Sequence, residues 1–252
     1  MKVVPMNKSM WEGNLLLVNA DFALHNEDKS DLVSVVPGYP EVLVKKKVAD
    51  ALQRVFQKID CGERIIPVSG YRTVEEQTLI YEISLRENGE EFTRKFVALP
   101  YHSEHQTGLA IDLGLQKEEI DFLCPEFPYE GICNEFRKEA ANYGFIERYS
   151  KGKEHITGIA HEPWHFRYVG WPHSQIISEK VMALEEYLFF MKQFSQENPY
   201  VWSNEDGKVA EIFYVSATMP DIAITDGCTY QISGNNMDGF VVTLWRCGDE
   251  QA

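Results

Sequence analysis

Apolar and polar positions alternate along this chain with two different periods, and the periods predict its elements. From Glu41 to Ile59 the apolar residues Val44, Val48, Ala51, Leu52, Val55, Phe56 and Ile59 recur at helical spacing and form one buried stripe. Cys61-Gly62 ends that helix, Arg64-Ile-Ile-Pro-Val-Ser69 predicts a short strand, and Gly70 predicts a bend. Thr73-Val-Glu-Glu76 is a capping box, so a helix is expected over 74–88. It places Gln77 and Tyr81 one turn apart on one face, just after Arg72. The period then changes to two. Leu109, Ile111 and Leu113 point one way along a strand, with Ala110 and Asp112 pointing the other. In Trp164-His-Phe-Arg-Tyr168 the aromatics share one face and His165 and Arg167 the opposite one.

Between these strands a loop around 124–131 precedes a helix expected over 134–143, and a long helix is expected over 174–194 on the stripe Ile177, Val181, Leu184, Leu188 and Met191. Ser195-Gln-Glu-Asn-Pro and Ser203-Asn-Glu-Asp-Gly have linker composition. Residues 209–245 are rich in β-branched and aromatic side chains, with turn signals at Met219-Pro-Asp, Thr225-Asp-Gly and Asn236-Met-Asp-Gly. The expected organisation is therefore a first domain over 1–195, a linker over 196–208 and a small β-rich C-terminal extension over 209–252.

The 252 residues are 44% hydrophobic and 12% aromatic, enough for a substantial core. A formal charge of −15 argues against nucleic acid or an anionic membrane as partner. An anionic substrate would need a cation of its own. The N-terminal residues have no sustained apolar stretch and no run reaches the length of a membrane span, so the expectation is a cytoplasmic protein without a membrane anchor. The five cysteines lack CxxC spacing and are read as reduced thiols. Cys228 and Cys247 would face each other if Met237-Asp238 formed a two-residue turn, which leaves their pairing open.

The chemistry concentrates in Ser103-Glu-His-Gln-Thr-Gly-Leu-Ala-Ile-Asp112 and Glu162-Pro-Trp-His165. A hydrolytic zinc site uses three protein ligands and leaves a position for water. His105, Asp112 and His165 supply that set, and Gly108 allows the turn that lets His105 and Asp112 converge. Glu162, three residues before His165, is the candidate base. His161-Glu-Pro-Trp-His165 also satisfies the H-E-x-x-H pattern, in which a helix puts both histidines on one face. Pro163 disfavours that helix, and the aromatic alternation after it belongs to a strand. His161 is therefore read as a neighbour of the site and not a ligand.

The pattern S-x-H-x-x-G-x-A-x-D followed by E-P-W-H resembles the zinc D,D-peptidases grouped with lysostaphin-type enzymes and the hedgehog domain. Ser69-Gly-Tyr-Arg72 followed by Gln77, with the opening Asn14-Leu-Leu-Leu-Val-Asn19, is similar to the VanY and VanXY types of glycopeptide-resistance clusters. The resemblance spans roughly 14–194. It implies an α+β fold whose antiparallel sheet, flanked by helices, holds a single zinc on His105, Asp112 and His165. It implies Glu162 as general base and Arg72 as the group that stabilises the carbonyl oxygen as it becomes an oxyanion. Ser103, Gln77 and Tyr81 would hold the termini of the substrate. The expected activity is hydrolysis of the D-Ala-D-Ala bond in the free dipeptide and in the muramyl pentapeptide precursor, contributing to vancomycin resistance. Small peptides ending in D-Ala-D-Ala are the expected partners. The alternatives are another cell-wall peptidase, such as an L-Ala-D-Glu endopeptidase, or a zinc module without catalysis. The extension lies outside the resemblance; packing is its expected role, with homodimer formation or ligand binding as the other options.

Overall fold

The alternations over 109–113 and 164–168 become two paired antiparallel strands in the computed structural model of the protein, which describes residues 2–5 and 9–246. In chain order the first elements are β1 (Lys2–Pro5), β2 (Leu32–Ser34), β3 (Leu43–Lys45), α1 (Lys46–Lys58), β4 (Ile65–Ser69) and α2 (Val74–Phe96). Next come β5 (Ala110–Leu115), α3 (Gly131–Ala140), β6 (Phe145–Tyr149), α4 (Glu154–Thr157), β7 (Glu162–Tyr168), α5 (His173–Glu179) and α6 (Leu184–Met191). The last five are β8 (Tyr200–Ser203), β9 (Val209–Ser216), β10 (Asp221–Ile224), β11 (Tyr230–Gly234) and β12 (Gly239–Trp245).

By compactness the chain divides into two units, Val18–Ala183 and Met1–Leu17 with Leu184–Ala252. The first is built on a four-stranded antiparallel sheet in the order β4-β5-β7-β6. Leu109, Ile111 and Leu113 lie in one buried cluster with Trp164 and Phe166, the stripe of α1 and Phe136 of α3. There Phe127, Phe136 and Phe166 meet ring to ring with centroids 4.8–5.8 Å apart. With that face committed to the core, Asp112, His165 and Arg167 are left on the other. Pro67 sits in an edge strand, the place in a sheet where its missing N–H costs least. The pairing register shifts at Pro67/Ser69 and again at Glu147/Tyr149, beside the residues that carry the polar chemistry.

In the second unit β11-β12-β9-β8 form an antiparallel sheet, and β1 pairs with β10. Val4, Phe213, Ile222, Ile224, Phe240 and Val242 form its core.

The elements depart from the sequence expectation where a break or a pairing is not local. The compact units divide at Leu184 rather than at 196, and the N-terminal strand belongs with the C-terminal one. The segment 196–208, expected as linker, contains β8. The expected helix over 174–194 is two helices, because Val181 adopts a left-handed φ of 52° between them. Helix α2 does turn aside at Gly89 (φ 83°), but it resumes over 90–96, beyond the expected end at 88. Ion pairs Glu90–Arg94 and Glu91–Lys95 and the stacked rings of Phe92 and Phe96 support that restart. The β11–β12 turn is wider than two residues, with Gly234 opposite Phe240 and Asn235 Oδ1 accepting three backbone N–H groups inside it. Cys247 lies outside the described residues; Cys61, Cys124 and Cys133 are free thiols.

Gly70 shows how tightly the fold is drawn around the polar face. A Cβ there would fall 2.2 Å from the Leu43 carbonyl oxygen, which also accepts the Tyr71 N–H. Gly70→Ala is expected to destabilise the protein by about 1–3 kcal/mol, seen as a lower urea midpoint. An unchanged midpoint would mean that β3 yields freely.

Candidate active site

Two of the three candidate ligands are placed by register alone. Asp112 on β5 is the direct cross-strand partner of His165 on β7. His105 comes from a 3₁₀ turn, Glu104–Thr107, that Gly108 closes at φ 68°. His105 Nε2 lies 3.1 Å from Asp112 Oδ2, and His165 Nδ1 lies 3.0 Å from Asp112 Oδ1. One donor atom from each residue falls within 4.8 Å of the others, and all three residues are buried. The two short spacings approach the roughly 3.3 Å edge of a tetrahedron with ~2.0 Å bonds, the size zinc requires. The donor set therefore fits a metal ion.

An acceptor stands behind each ring as well. His105 Nδ1 donates to the Gly70 carbonyl at 2.6 Å, which turns the Nε2 lone pair toward Asp112. His165 Nε2 faces Glu104 Oε2 at 3.5 Å. Glu104 in turn accepts from Arg148 Nε at 2.8 Å and Arg167 Nη1 at 2.7 Å, and all three side chains are fully buried. Orientation of a ligand by an acceptor behind it is a general property of metal centres. Sequence reasoning passed over Glu104, Arg148 and Tyr149. A glutamate between Ser103 and His105 looked like a spacer, and its neighbour His105 was the only hint. Tyr149 packs its ring 4.8 Å from that of His165.

The charges follow from these contacts. Burial opposes ionisation of Asp112 and Glu104, but the imidazoles around the first and the guanidiniums on the second hold both well below the usual carboxylate range. Burial together with Arg72 lowers the pKa of His105, keeping it neutral. Burial disfavours charge on His165 too, yet hydrogen bonds to Asp112 and Glu104 outweigh it and push the ring up to about 9. Glu162, beside His165 at 3.8 Å, is driven up to about 8 chiefly by burial.

Arg72 reaches the same cavity. It donates to Asp112 Oδ2 at 3.0 Å and to Ser69 Oγ at 2.9 Å, and its Nη1 lies 3.4 Å from Gln77 Oε1. The cavity wall also carries Ser103, Gln77, Glu162, Tyr149 and Trp164. Tyr81 does not line it; that ring lines an adjoining cavity. His161 points away from the donors, with Nε2 at 2.7 Å from the Tyr129 hydroxyl, which donates to Glu147 at 2.5 Å. Arg137 donates to Glu147 and to the Pro163 carbonyl, so both chain neighbours of Glu162 are held by one cluster.

Removing one member of a buried ion cluster leaves the others uncompensated. Glu104→Gln is expected to cost about 3–5 kcal/mol in unfolding free energy. The same variant should lose roughly 10- to 100-fold in metal affinity, read by competition with a chromophoric chelator.

The chain also resembles proteins of named activity. A family model described as VanY, D-alanyl-D-alanine carboxypeptidase, matches residues 41–171. The bifunctional D-Ala-D-Ala dipeptidase and carboxypeptidase VanXYC of Enterococcus gallinarum is 44% identical over 181 residues, covering 71% of this chain and 95% of that protein. The vancomycin-resistance D,D-dipeptidase VanXYg, solved with a D-Ala-D-Ala phosphinate analogue, is 54% identical with a TM-score of 0.93, over 97% of this chain and 98% of that one. A VanY D,D-pentapeptidase variant from a VanB-type cassette, solved with Zn(II), is 30% identical with a TM-score of 0.56, over 71% and 99% of the two chains. With half of its length matched by the family model and a 44% identical relative covered almost end to end, the chain belongs to the VanY family of D-alanyl-D-alanine carboxypeptidases.

Proposed function

We propose that this protein is a zinc D,D-peptidase that hydrolyses the D-Ala-D-Ala bond of the free dipeptide and of the muramyl pentapeptide precursor. The observation that carries the reading is the convergence in one cavity of three candidate metal donors, a carboxyl of raised pKa and a guanidinium. The activities named for the VanXY relatives support it over an endopeptidase or a silent zinc module.

His105, Asp112 and His165 would hold the ion, and zinc when bound supplies a water of lowered pKa and polarises the scissile carbonyl. Glu162 accepts the proton of the attacking water and returns it to the leaving amine. A carboxyl buried enough to hold a proton near pH 8 is suited to both halves of that transfer. Arg72, fixed by Ser69 and Asp112, offers N–H donors to the oxygen on which charge develops. Ser103 and Gln77 face the same space and would hold the terminal carboxylate. The Gln77 amide is itself oriented by donating to the Ala98 carbonyl at 2.8 Å.

Removing such precursors while sparing those ending in D-Ser or D-lactate would contribute to vancomycin resistance. Among the described residues no helix is long and apolar enough to cross a membrane. We place the activity in the cytoplasm, where the precursor peptide is soluble.

Assays of the purified protein on D-Ala-D-Ala, D-Ala-D-Ser and the pentapeptide, with and without a chelator, test the reading. Chelation should abolish hydrolysis and added zinc restore it. Glu162→Ala should lower kcat by roughly 10²- to 10⁴-fold with zinc retained; full activity in that variant would sink the mechanism. A metal ligand must be deprotonated, and His165 without metal keeps its proton up to about pH 9. Zinc uptake at neutral pH should therefore release about one proton, with apparent affinity rising about tenfold per pH unit toward pH 9. Calorimetry in buffers of different ionisation enthalpy measures that proton.

A further inference from the structure

A cavity of about 280 Å³ lies at the β6 edge of the sheet, walled by α3, β6 and α5. It shares no lining residue with the cavity that carries the metal donors. Strand alternation explains the separation, because Phe166 and His165 are adjacent on β7 and point to opposite faces. Ala140, Phe145, Phe166, Ile177 and Met182 give the cavity its apolar lining. Arg137, Lys151 and Lys153 add three cations, and Glu147 is the one carboxylate among the described lining residues. Glu147 is already matched by Arg137 Nε at 2.8 Å. What remains is positive, in a chain whose formal charge is −15.

Ligand sites combine apolar walls with a few placed polar groups, and those for drug-sized molecules begin near 300 Å³. This cavity is slightly smaller. An inorganic anion would gain nothing from the apolar walls, and an ammonium group would be repelled by the two lysines. A carboxylate on a small apolar body satisfies both conditions.

We propose that this cavity binds a small monocarboxylate with an apolar body and acts as an effector site for the catalytic cavity. The carboxylate meets Lys151 and Lys153, and the hydrocarbon lies against Phe145, Phe166 and Ile177. Arg137 carries the effect. Its Nη2 donates to the Pro163 carbonyl at 2.6 Å and its Nε to Glu147, so an anion that draws on this guanidinium competes with acceptors on either side of Glu162 in the fold. Occupancy therefore changes turnover and leaves substrate binding alone. The binding site stands apart from the D,D-peptidase reading above; its effect on turnover rests on that reading.

Hexanoate is the probe, with 1-hexanol and hexylammonium as its neutral and cationic counterparts, each titrated calorimetrically into the zinc-loaded full chain. Hexanoate should bind with a Kd on the order of 1 mM, and the other two at least about fivefold more weakly. Lys151→Glu, at an exposed position, should weaken hexanoate about tenfold. Ser178→Trp fills the cavity from an exposed position near the end of α5 and should abolish binding. Unchanged affinity in both variants would overturn the site, since hexanoate bound to the metal would survive both. Equal binding of all three probes would overturn the ligand class. At saturating D-Ala-D-Ala, hexanoate should change kcat about twofold or more in the unsubstituted protein and not in Ser178→Trp. A constant kcat, or an effect on KM alone, would overturn the effector role. If the dipeptide is not cleaved at all, the D,D-peptidase reading fails, while the binding comparison still decides the site.

Discussion

A buried charge must be paired, and the polar face of the β4-β5-β7-β6 sheet is organised by that requirement. Arg72 leans on Asp112, Asp112 on both imidazoles, His165 on Glu104, and Glu104 on Arg148 and Arg167. No link can be shortened without stranding the next. Because each member is fixed by its neighbour, the three candidate metal donors are held in place by protein contacts alone, which is the preorganisation a catalytic centre needs. The apolar face of the same strands does the complementary work. It commits Ile111 and Phe166 to the core and leaves Asp112 and His165 no other direction to point.

Much of this was legible from the chain alone, because the signals were local. Alternation over five residues gave β5 and β7, Thr73 and Glu76 announced the start of α2, and Pro163 removed the helical version of the histidine pattern. What escaped was set by partners distant in sequence. Arg148 and Arg167 belong to a residue type that is usually exposed, and nothing near them tells of burial. Their shared partner Glu104 lies more than forty positions away. The pairing of β1 with β10 joins opposite ends of the chain. The stripe expected to make one helix over 174–194 continues in phase through Val181, so periodicity had no means of marking the break there.

The family relationship divides along similar lines. The E. gallinarum relative is matched almost end to end by 181 residues of this chain, whereas VanXYg is matched over nearly all of both chains. The Val18–Ala183 unit contains the whole candidate site. The other unit has its own sheet and core, and its counterpart is present in the VanXYg chain to judge by the coverage.

The cluster around Glu162 bears on how such a protein can change over generations. His161 and Pro163 are anchored by Tyr129, Glu147 and Arg137, none of which lines the metal cavity. A displacement of about 1 Å at a reacting group can cost two orders of magnitude in rate. Here the backbone on either side of the carboxyl is secured from outside the chamber. Wall residues other than the three candidate donors, Arg72 and Glu162 can therefore be exchanged, and substrate preference can drift, while the proposed proton-transferring carboxyl keeps its station. Chemistry and selectivity are thereby inherited through separate sets of residues.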